Sequence, residues 1–322
     1  MVTNRRMGEA PVHTPERGQS RRRGVRGRDL VLVAASLLVA ALLAGHRLVP
    51  AAGGLGTLVD SFLPWLGVLV LPLALAALLA RSRLGLVALL APVLVWSVTF
   101  GAAFLPQRAG TGQFRVVSQN VDADNTQPAT TAADLANTRA GLVAVQELNS
   151  QVVPQVLDRT YRHHVTVGTV GLWSRYPITR TGPVDLGLGW NRALRAQVDT
   201  EWGQLAVYVV HLASVRPGVD GMRDRTLSRL TSQVRQDPAA HLLVLGDLNT
   251  ASTDRQLGQL VPPLHDAQRD AGWGLGFTWP TQFPVTRPDQ LLYRGLTATS
   301  ASVIRTAGSD HRATTAEFRL AS

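Results

Sequence analysis

The chain has 322 residues, of which 45% are hydrophobic and only 17% are charged. This composition excludes a mostly disordered protein, and the lack of cysteine excludes disulfide scaffolds, cysteine-ligated zinc and thiol nucleophiles. The net charge of +10 is concentrated at one end, because residues 1–108 carry 12 Arg and 4 acidic residues whereas residues 109–322 carry 20 and 18. The longer part is nearly neutral, so its charge does not indicate a nucleic-acid-binding surface.

The first 29 residues form a basic segment with eight Arg and few apolar residues. Such a charge block is typical of a disordered tail. Because long apolar runs follow, we interpret residues 1–29 as a cytoplasmic tail beside a membrane.

Three apolar runs then predict transmembrane helices over about 30–49, 61–80 and 84–106, within a membrane region of residues 30–107. A helix needs about 20 apolar residues to cross a bilayer. A cleaved signal peptide is an alternative for the first run, and buried core helices are an alternative for all three.

The arginine distribution predicts the orientation. Eight Arg in the tail, with Arg81 and Arg83 in the second loop, face one Arg, Arg47, in the first loop. Arg-rich loops stay in the cytoplasm, so three spans place residues 108–322 outside it in a multi-pass protein of the cell membrane. The spans have no ionisable residue in their middle, which argues against a transporter.

From Phe114 onwards, short β-branched runs alternate with polar helical stretches, which predicts a layered α/β domain over 108–322. Helices are expected over 132–138, 151–158 and 222–236. Strands are expected over 114–119, 141–145, 164–170, 194–198, 205–210, 241–245, 290–293, 300–305 and 314–318.

Polar side chains follow these strands, and strand ends on one edge of a sheet bring such residues together. Each has a simpler explanation alone, as a turn residue or a structural histidine. Together, carboxylates, amides and two histidines suit a hard divalent cation, Mg²⁺ or Mn²⁺, better than zinc. The candidates are Asn120, Asp122, Glu147, His211, Asp247, Asn249, Asp289, Asp310 and His311.

The order of the motifs resembles the endonuclease/exonuclease/phosphatase superfamily, which includes DNase I-like nucleases, sphingomyelinases and inositol-phosphate phosphatases. The matching segments are Ser-Gln-Asn-Val (118–121), Val-Gln-Glu-Leu (145–148), Gly-Leu-Trp-Ser-Arg-Tyr-Pro-Ile (171–178), His-Leu (211–212), Gly-Asp-Leu-Asn-Thr (246–250), Phe-Thr-Trp-Pro (277–280), Pro-Asp-Gln-Leu-Leu-Tyr (288–293) and Gly-Ser-Asp-His-Arg (308–312).

The resemblance implies a DNase I-like four-layer α/β/β/α sandwich and phosphoester hydrolysis by in-line attack of water. It implies that Asn120 and Glu147 hold the metal and that Asp310 completes the metal or water shell. Asp247 would orient or activate the water, with Asn249 beside it. His211 would contact the phosphate, and Asp289 would orient His311. Which of Asp247 and His311 is the general base stays open.

One departure and one charge cluster affect this interpretation. Pro288 stands where the family usually has an ordinary apolar residue, which puts the placement of Asp289 in question because proline fixes φ and lacks a donor. Arg216, Arg223, Arg225, Arg229 and Arg235 form a basic cluster, which we interpret as a solvated helix face because Asp220 and Asp224 interleave with it.

The sequence therefore predicts a membrane-anchored, metal-dependent phosphoester hydrolase. The substrate stays open between nucleic acid, a phospholipid head group and a small phosphoester, and no protein partner is inferred. The alternative is a non-catalytic, membrane-tethered binding module on the same fold.

Overall fold

The computed structural model of the chain describes residues 26–105, 110–215 and 221–320. Most of the predicted tail, residues 1–25, and Arg216 of the basic cluster lie outside the described residues. The described chain consists of an N-terminal helical region and an α/β sandwich.

The helical region has two helical stretches that are long and apolar enough to cross a membrane, Gly27–Leu48 and Arg83–Phe104. A third span depends on counting Leu55–Ser61 and Leu63–Leu79 as one, and these two are bent by 71°. The helical stretch Leu63–Leu79 lies within the span expected over 61–80 but does not pass as a span by itself, so two of the three expected spans are found as candidates and the count of three is not confirmed. Pro64 lies just after the bend and has no N–H to continue the helical hydrogen bonds. The helices are α1 (Gly27–Gly45), α2 (Leu55–Ser61), α3 (Val70–Leu79), α4 (Arg83–Ala88) and α5 (Leu90–Phe100).

The outer surface of this region is apolar. Large side chains such as Leu38, Leu71, Leu94 and Val98 are exposed along α1, α3 and α5. Contiguous apolar surface of this extent is unfavourable in water and is typical of helices that face lipid.

The two loops of the helical region lie at opposite ends. Directly after the second loop, Gly85 at the start of α4 packs so closely on the first turns of α1 that an added Cβ would lie 3.0 Å from the Cβ of Leu32. In the first loop, His46 Nδ1 is 2.7 Å from Asp60 Oδ1, and both residues contact the α/β sandwich at that end. The sandwich is thus at the same end as the first loop.

Two six-stranded sheets form the α/β sandwich. The first sheet has the order β11-β12-β1-β2-β4-β3, and the second has the order β5-β6-β7-β8-β10-β9. The pairs β1–β2 and β7–β8 are parallel, and the other neighbours are antiparallel. The strands are β1 (Phe114–Asn120), β2 (Leu142–Gln146), β3 (His163–Val167), β4 (Val170–Ser174), β5 (Ile178–Pro183), β6 (Ala193–Thr200), β7 (Gly203–His211), β8 (Leu242–Asp247), β9 (His265–Asp266), β10 (Asp289–Arg294), β11 (Leu296–Ile304) and β12 (Ala313–Leu320).

Three apolar cores hold the layers together. The central core lies between the sheets and includes Val116, Leu172, Val207 and Leu245. A second core packs α8 (Met222–Gln236) on the outer face of the second sheet. A third packs α6 (Pro128–Asn137) and α7 (Val152–Asp158) on the outer face of the first sheet. A short helix, α9 (Ala267–Ala271), precedes β10. The α/β sandwich with two facing sheets is therefore confirmed.

The predicted strands are confirmed with small shifts at their ends, except for one. The single strand expected over 164–170 is wrong, because β3 and β4 form a hairpin there. Gly168 closes the turn with φ of 59°, and an added Cβ would lie 1.9 Å from the backbone oxygen of Asn191. The helix expected over 132–138 begins earlier, with Pro128 in its first turn, where its missing N–H is not needed.

Candidate active site

Four candidate side chains meet because two pairs of parallel strands end at the same edge. Asn120 ends β1, and Glu147 follows its neighbour β2. His211 ends β7 and lies opposite Asp247, which ends β8. The two pairs belong to different sheets, so the site spans the gap between the sheets.

Asn120 joins the two carboxylates across that gap. Its Nδ2 donates to Glu147 Oε1 at 2.9 Å and to Asp247 Oδ2 at 3.1 Å. Glu147 Oε2 accepts a hydrogen bond from the backbone N–H of Ala123 at 2.9 Å. Two acidic side chains thus converge on one polar group.

The donor set fits a hard divalent cation. Ligand atoms of Glu147, His211 and Asp247 lie within 4.8 Å of one another, as do those of Asp247, Asp289 and His311. Burial raises the pKa of Asp247, and the nearby Asp289 charge adds to this effect. Converging carboxylates that are this crowded favour a bound cation, because it offsets their mutual repulsion.

Asp310 and Asp122 extend the negative charge to the mouth of the site. The side chain of Asp310 is 49% exposed, and its Oδ2 accepts from Trp279 Nε1 at 3.0 Å. Burial raises the pKa of Asp122, and the charges of Asp310 and Glu147 raise it further. The three acids therefore face a common space.

His311 and Asp289 form a buried pair despite Pro288. His311 Nδ1 is 2.8 Å from Asp289 Oδ2, which also accepts from Thr278 Oγ1 at 2.5 Å. The other ring nitrogen, Nε2, lies 4.0 Å from Asp247 Oδ2. Burial disfavours the imidazolium, but Asp289, Asp247 and Asp310 raise the pKa of His311 to about 10. His311 is thus protonated at neutral pH.

His211 is in the opposite protonation state. Burial lowers its pKa to about 4; the charge of Asp247 opposes this effect, and Arg192 and His311 add to it. Its Nε2 lies 3.4 Å from Glu147 Oε1. The site therefore pairs one neutral and one charged histidine, which is the kind of pKa separation used in acid–base chemistry.

Sequence reasoning missed Arg192. Its guanidinium contacts the His211 ring, with Nη2 2.6 Å from Nδ1, and it lies 4.9 Å from the centre of the Trp190 ring. Arg192 directly precedes β6, which runs antiparallel to β7, so the start of β6 lies beside the end of β7. A search of strand starts as well as strand ends would have found it.

Asn249 lies beside Asp247. Its backbone N–H donates to Asp247 Oδ1 at 2.8 Å, and its Nδ2 donates to the Leu212 carbonyl at 3.0 Å. Asn249, Glu147 and Asp122 all have positive φ, at 47°, 61° and 65°. This conformation is uncommon for residues other than glycine and tends to occur at functional sites.

The basic cluster on α8 is only partly a solvated face. Arg223 is buried, so the expectation is wrong for this residue. It donates to Asp254 Oδ2 at 2.7 Å and to the Asn249 carbonyl at 3.4 Å, and it reaches Thr57 of α2 at 3.4 Å. Acceptors on the loop after β8 and on α2 explain why the arginine faces inwards.

The profile of the Endonuclease/Exonuclease/phosphatase family matches residues 117–311. The chain therefore belongs to this family. No curated protein matched the chain by sequence.

Several solved structures have a similar fold over about two thirds of the chain. TDP2 from D. rerio, complexed with a single strand DNA product, has a TM-score of 0.55 at 20% identity and covers 64% of this chain and 98% of its own. An endonuclease/exonuclease/phosphatase family protein from Leptotrichia buccalis has a TM-score of 0.53 at 13% identity, over 64% and 100%. A functionally unknown conserved protein from Enterococcus faecalis has a TM-score of 0.55 at 16% identity, over 65% and 100%.

Proposed function

We propose that the protein is a membrane-anchored, divalent-metal-dependent phosphoester hydrolase whose catalytic domain, residues 108–322, lies outside the cytoplasm. The observation that carries the proposal is the convergence of Glu147 and Asp247, from different sheets, on Asn120. Family membership supports the same reaction class. A non-catalytic binding module would not need two buried carboxylates and two histidines of opposite charge state in one place.

In this proposal, Asn120, Glu147 and Asp310 hold Mg²⁺ or Mn²⁺. A bound cation of this kind polarises a phosphoryl oxygen and offsets the charge that develops on it. Asp310 shares the space in front of Glu147 with Asp122, which makes Asp122 an outer contributor to the same negative field.

The remaining roles follow from the protonation states. Asp289 holds His311 Nδ1, and the surrounding carboxylates raise the pKa of His311, which favours the imidazolium as a donor to the phosphoryl oxygen. Asp247, held by the Asn249 N–H, then accepts the proton of the attacking water. His211 and Arg192 contact the phosphate, and Asp289 fixes the ring of His311.

The topology is supported by the ends of the helical region. The first loop lies with the sandwich, and the Arg-containing second loop lies at the opposite end, beside the start of α1. With the Arg-rich ends in the cytoplasm, the sandwich lies outside. An active C-terminal alkaline phosphatase fusion in a bacterial host would support this orientation, and an inactive one would contradict it.

The activity itself is tested with the full-length protein in detergent and Mg²⁺. We expect release of nitrophenol from bis(4-nitrophenyl) phosphate, and loss of that release in the Glu147→Gln variant. A nucleic-acid substrate is the second candidate, because the fold is similar to TDP2 complexed with a single strand DNA product. Plasmid DNA and RNA are therefore assayed beside the soluble diester.

A further inference from the structure

The helical region contacts the sandwich at the active-site end. The loop that follows β8, residues 248–255, carries Arg255, whose Nε donates to the buried Asp60 at 2.7 Å. Arg255 also donates to the carbonyl oxygens of His46 and Val49, each at 2.7 Å. A single arginine thus closes the ends of α1 and α2 against this loop.

Another loop of the sandwich, residues 272–286, makes the other contacts. The Trp65 indole donates to the Val285 carbonyl at 2.8 Å, and its ring stacks on Phe277 at 6.0 Å. The backbone N–H of Gly274 donates to the Ala103 carbonyl at 2.7 Å. This loop is therefore held by the ends of two helical segments that face the sandwich.

These same two loops build the active site. Asn249 belongs to the loop 248–255 and lies against Asp247. In the loop 272–286, Thr278 donates to Asp289 and Trp279 donates to Asp310. The opening of the site consequently lies beside the helix ends, whereas the β6–β7 hairpin at Thr200–Gly203 lies at the far end of the sandwich.

Exposed aromatic side chains lie on the loop 272–286 and beside Arg192. Their exposed fractions are large for apolar groups, at 70% for Trp273, 67% for Phe283, 54% for Trp190 and 38% for Trp279. Phe104, at the end of the helical stretch Arg83–Phe104, packs edge-on against Trp273 at 5.8 Å. Amphipathic aromatic rings concentrate at the level of lipid head groups. The rim of the opening is therefore suited to lie at the membrane–water interface.

From this arrangement we infer that the substrate is a lipid of the same membrane, presented by its phosphoester head group; the inference rests on the proposed hydrolase function. Water adds to phosphorus as the bond to the leaving alcohol oxygen breaks, and the proton of the water ends on that alcohol. Arg192 supplies positive charge for the phosphate, and the aromatic rim contacts the lipid beside it. A polymer in solution would instead have to enter between the rim and the bilayer.

The test uses full-length protein reconstituted into vesicles of phosphatidylcholine, phosphatidylglycerol, phosphatidylinositol and sphingomyelin. Head-group release is followed by phosphorus NMR. A second sample holds the protein in phosphatidylcholine-only nanodiscs and adds the mixed vesicles separately. Bis(4-nitrophenyl) phosphate, plasmid DNA and RNA are assayed in parallel. We expect at least one lipid to be hydrolysed about tenfold faster in the shared bilayer than across separate ones, which corresponds to about 1.4 kcal/mol.

Variants separate the rim from the catalytic centre. Trp273→Ala with Phe283→Ser should lower lipid turnover about tenfold more than it lowers turnover of the soluble diester, since burial of an aromatic ring contributes about this much. The matched control is Val152→Ser. Val152 is an exposed apolar residue on α7, at the outer face of the first sheet, and its replacement should change neither the lipid rate nor the rate on the soluble diester.

The outcomes separate the two proposals. Hydrolysis of the soluble diester without lipid hydrolysis, or faster turnover of DNA or RNA than of every lipid, would overturn the lipid inference and leave the hydrolase intact. Equal losses on lipid and soluble diester in the rim variant would also overturn it. Failure to turn over any substrate would overturn the hydrolase and the lipid inference with it.

Discussion

Two buried aspartates near the opposite ends of β8 lie in opposite electrostatic environments. Asp237, before the strand, is paired with Arg195 at 2.5 Å and accepts from Tyr208 Oη at 2.7 Å. Burial would raise the pKa of Asp237, but Arg195, the Ala239 N–H and Tyr208 lower it to about 2. Asp247, at the end of the strand, is buried near another carboxylate, Asp289, and its pKa is raised.

The difference between Asp237 and Asp247 indicates that the acids at the active-site end are placed for chemistry at a cost in folding stability. The far end of the sandwich neutralises its buried acid with a partner, as a stable core requires. The active-site end crowds its acids beside two histidines, and in the proposed function a cation offsets their charge. Perturbed carboxylates in a cleft are a mark of function, and the paired Asp237 is a mark of structure.

The largest expected effect is at the His311–Asp289 pair. His311→Ala should lower kcat roughly 10²–10⁴-fold, because it removes the proton donor to the phosphate. Asp289→Asn should cost somewhat less, by freeing the ring orientation, and the double variant should lose little more than His311→Ala alone. Single-turnover rates on the soluble diester measure this. Losses that multiply in the double variant would show that the two residues act independently.

Asp247→Asn should separate activity from stability. We expect kcat to fall roughly 10²–10⁴-fold through loss of the base. The same change removes a buried charge beside Asp289, so the free energy of unfolding should rise by about 0.5–2 kcal/mol. Thermal unfolding checks the second part, and a less stable variant would argue against the crowded-acid interpretation of this end.

The junction with the helical region should depend on Asp60. Asp60→Ala leaves Arg255 partly buried without its acid, which typically costs ~3–5 kcal/mol, so we expect a lower unfolding temperature of the full-length protein. The control is Asp185→Ala, whose pair with Arg229 is exposed and should contribute ~1 kcal/mol at most. Equal shifts in the two variants would contradict a structural junction at Asp60.

The smallest expected effect is the loss of folding stability at low pH that results from protonation of Asp237, at the end of the sandwich opposite the site. Because the folded pKa of Asp237 is lowered to about 2, its contribution is present above its unfolded pKa and is lost as the pH falls through the folded one. We expect ~1–2 kcal/mol of stability to disappear between about pH 4 and pH 2. Asp237→Asn should lose this part of the pH dependence. An unchanged pH profile in that variant would show that Asp237 is not the group responsible.

Asn120, Glu147, His211 and Asp247 could be predicted as a group because each lies at the end of a strand, whereas Asp289, Asp310 and His311 lie at strand starts and were recognised from the family motifs. The pairing of those ends across two sheets follows from topology, and no local pattern shows it. Arg192 was missed because it precedes its strand and belongs to none of the matching motif segments. The β3–β4 hairpin was missed because Gly168 interrupts a run whose β-branched pattern continues on both sides.

The junction could not be predicted at all. Asp60 and Arg255 are 195 residues apart, and an acid in a loop between apolar runs has many possible partners. The bend after α2 was also missed, although Pro64 marks it, because proline is tolerated in membrane helices as well.

The proposed mechanism depends most on a divalent cation held by Glu147 and Asn120. The direct measurement is hydrolysis of bis(4-nitrophenyl) phosphate by EDTA-treated full-length protein as Mg²⁺ or Mn²⁺ is added back, for the wild type and Glu147→Gln. We predict no turnover without metal, saturable recovery in the wild type, and at least a ~10³-fold deficit at saturating metal in the variant, since the metal contributes several kcal/mol. Glu201→Gln, in the far-end hairpin, should behave as the wild type. Full activity after EDTA, or in Glu147→Gln, would contradict the central claim.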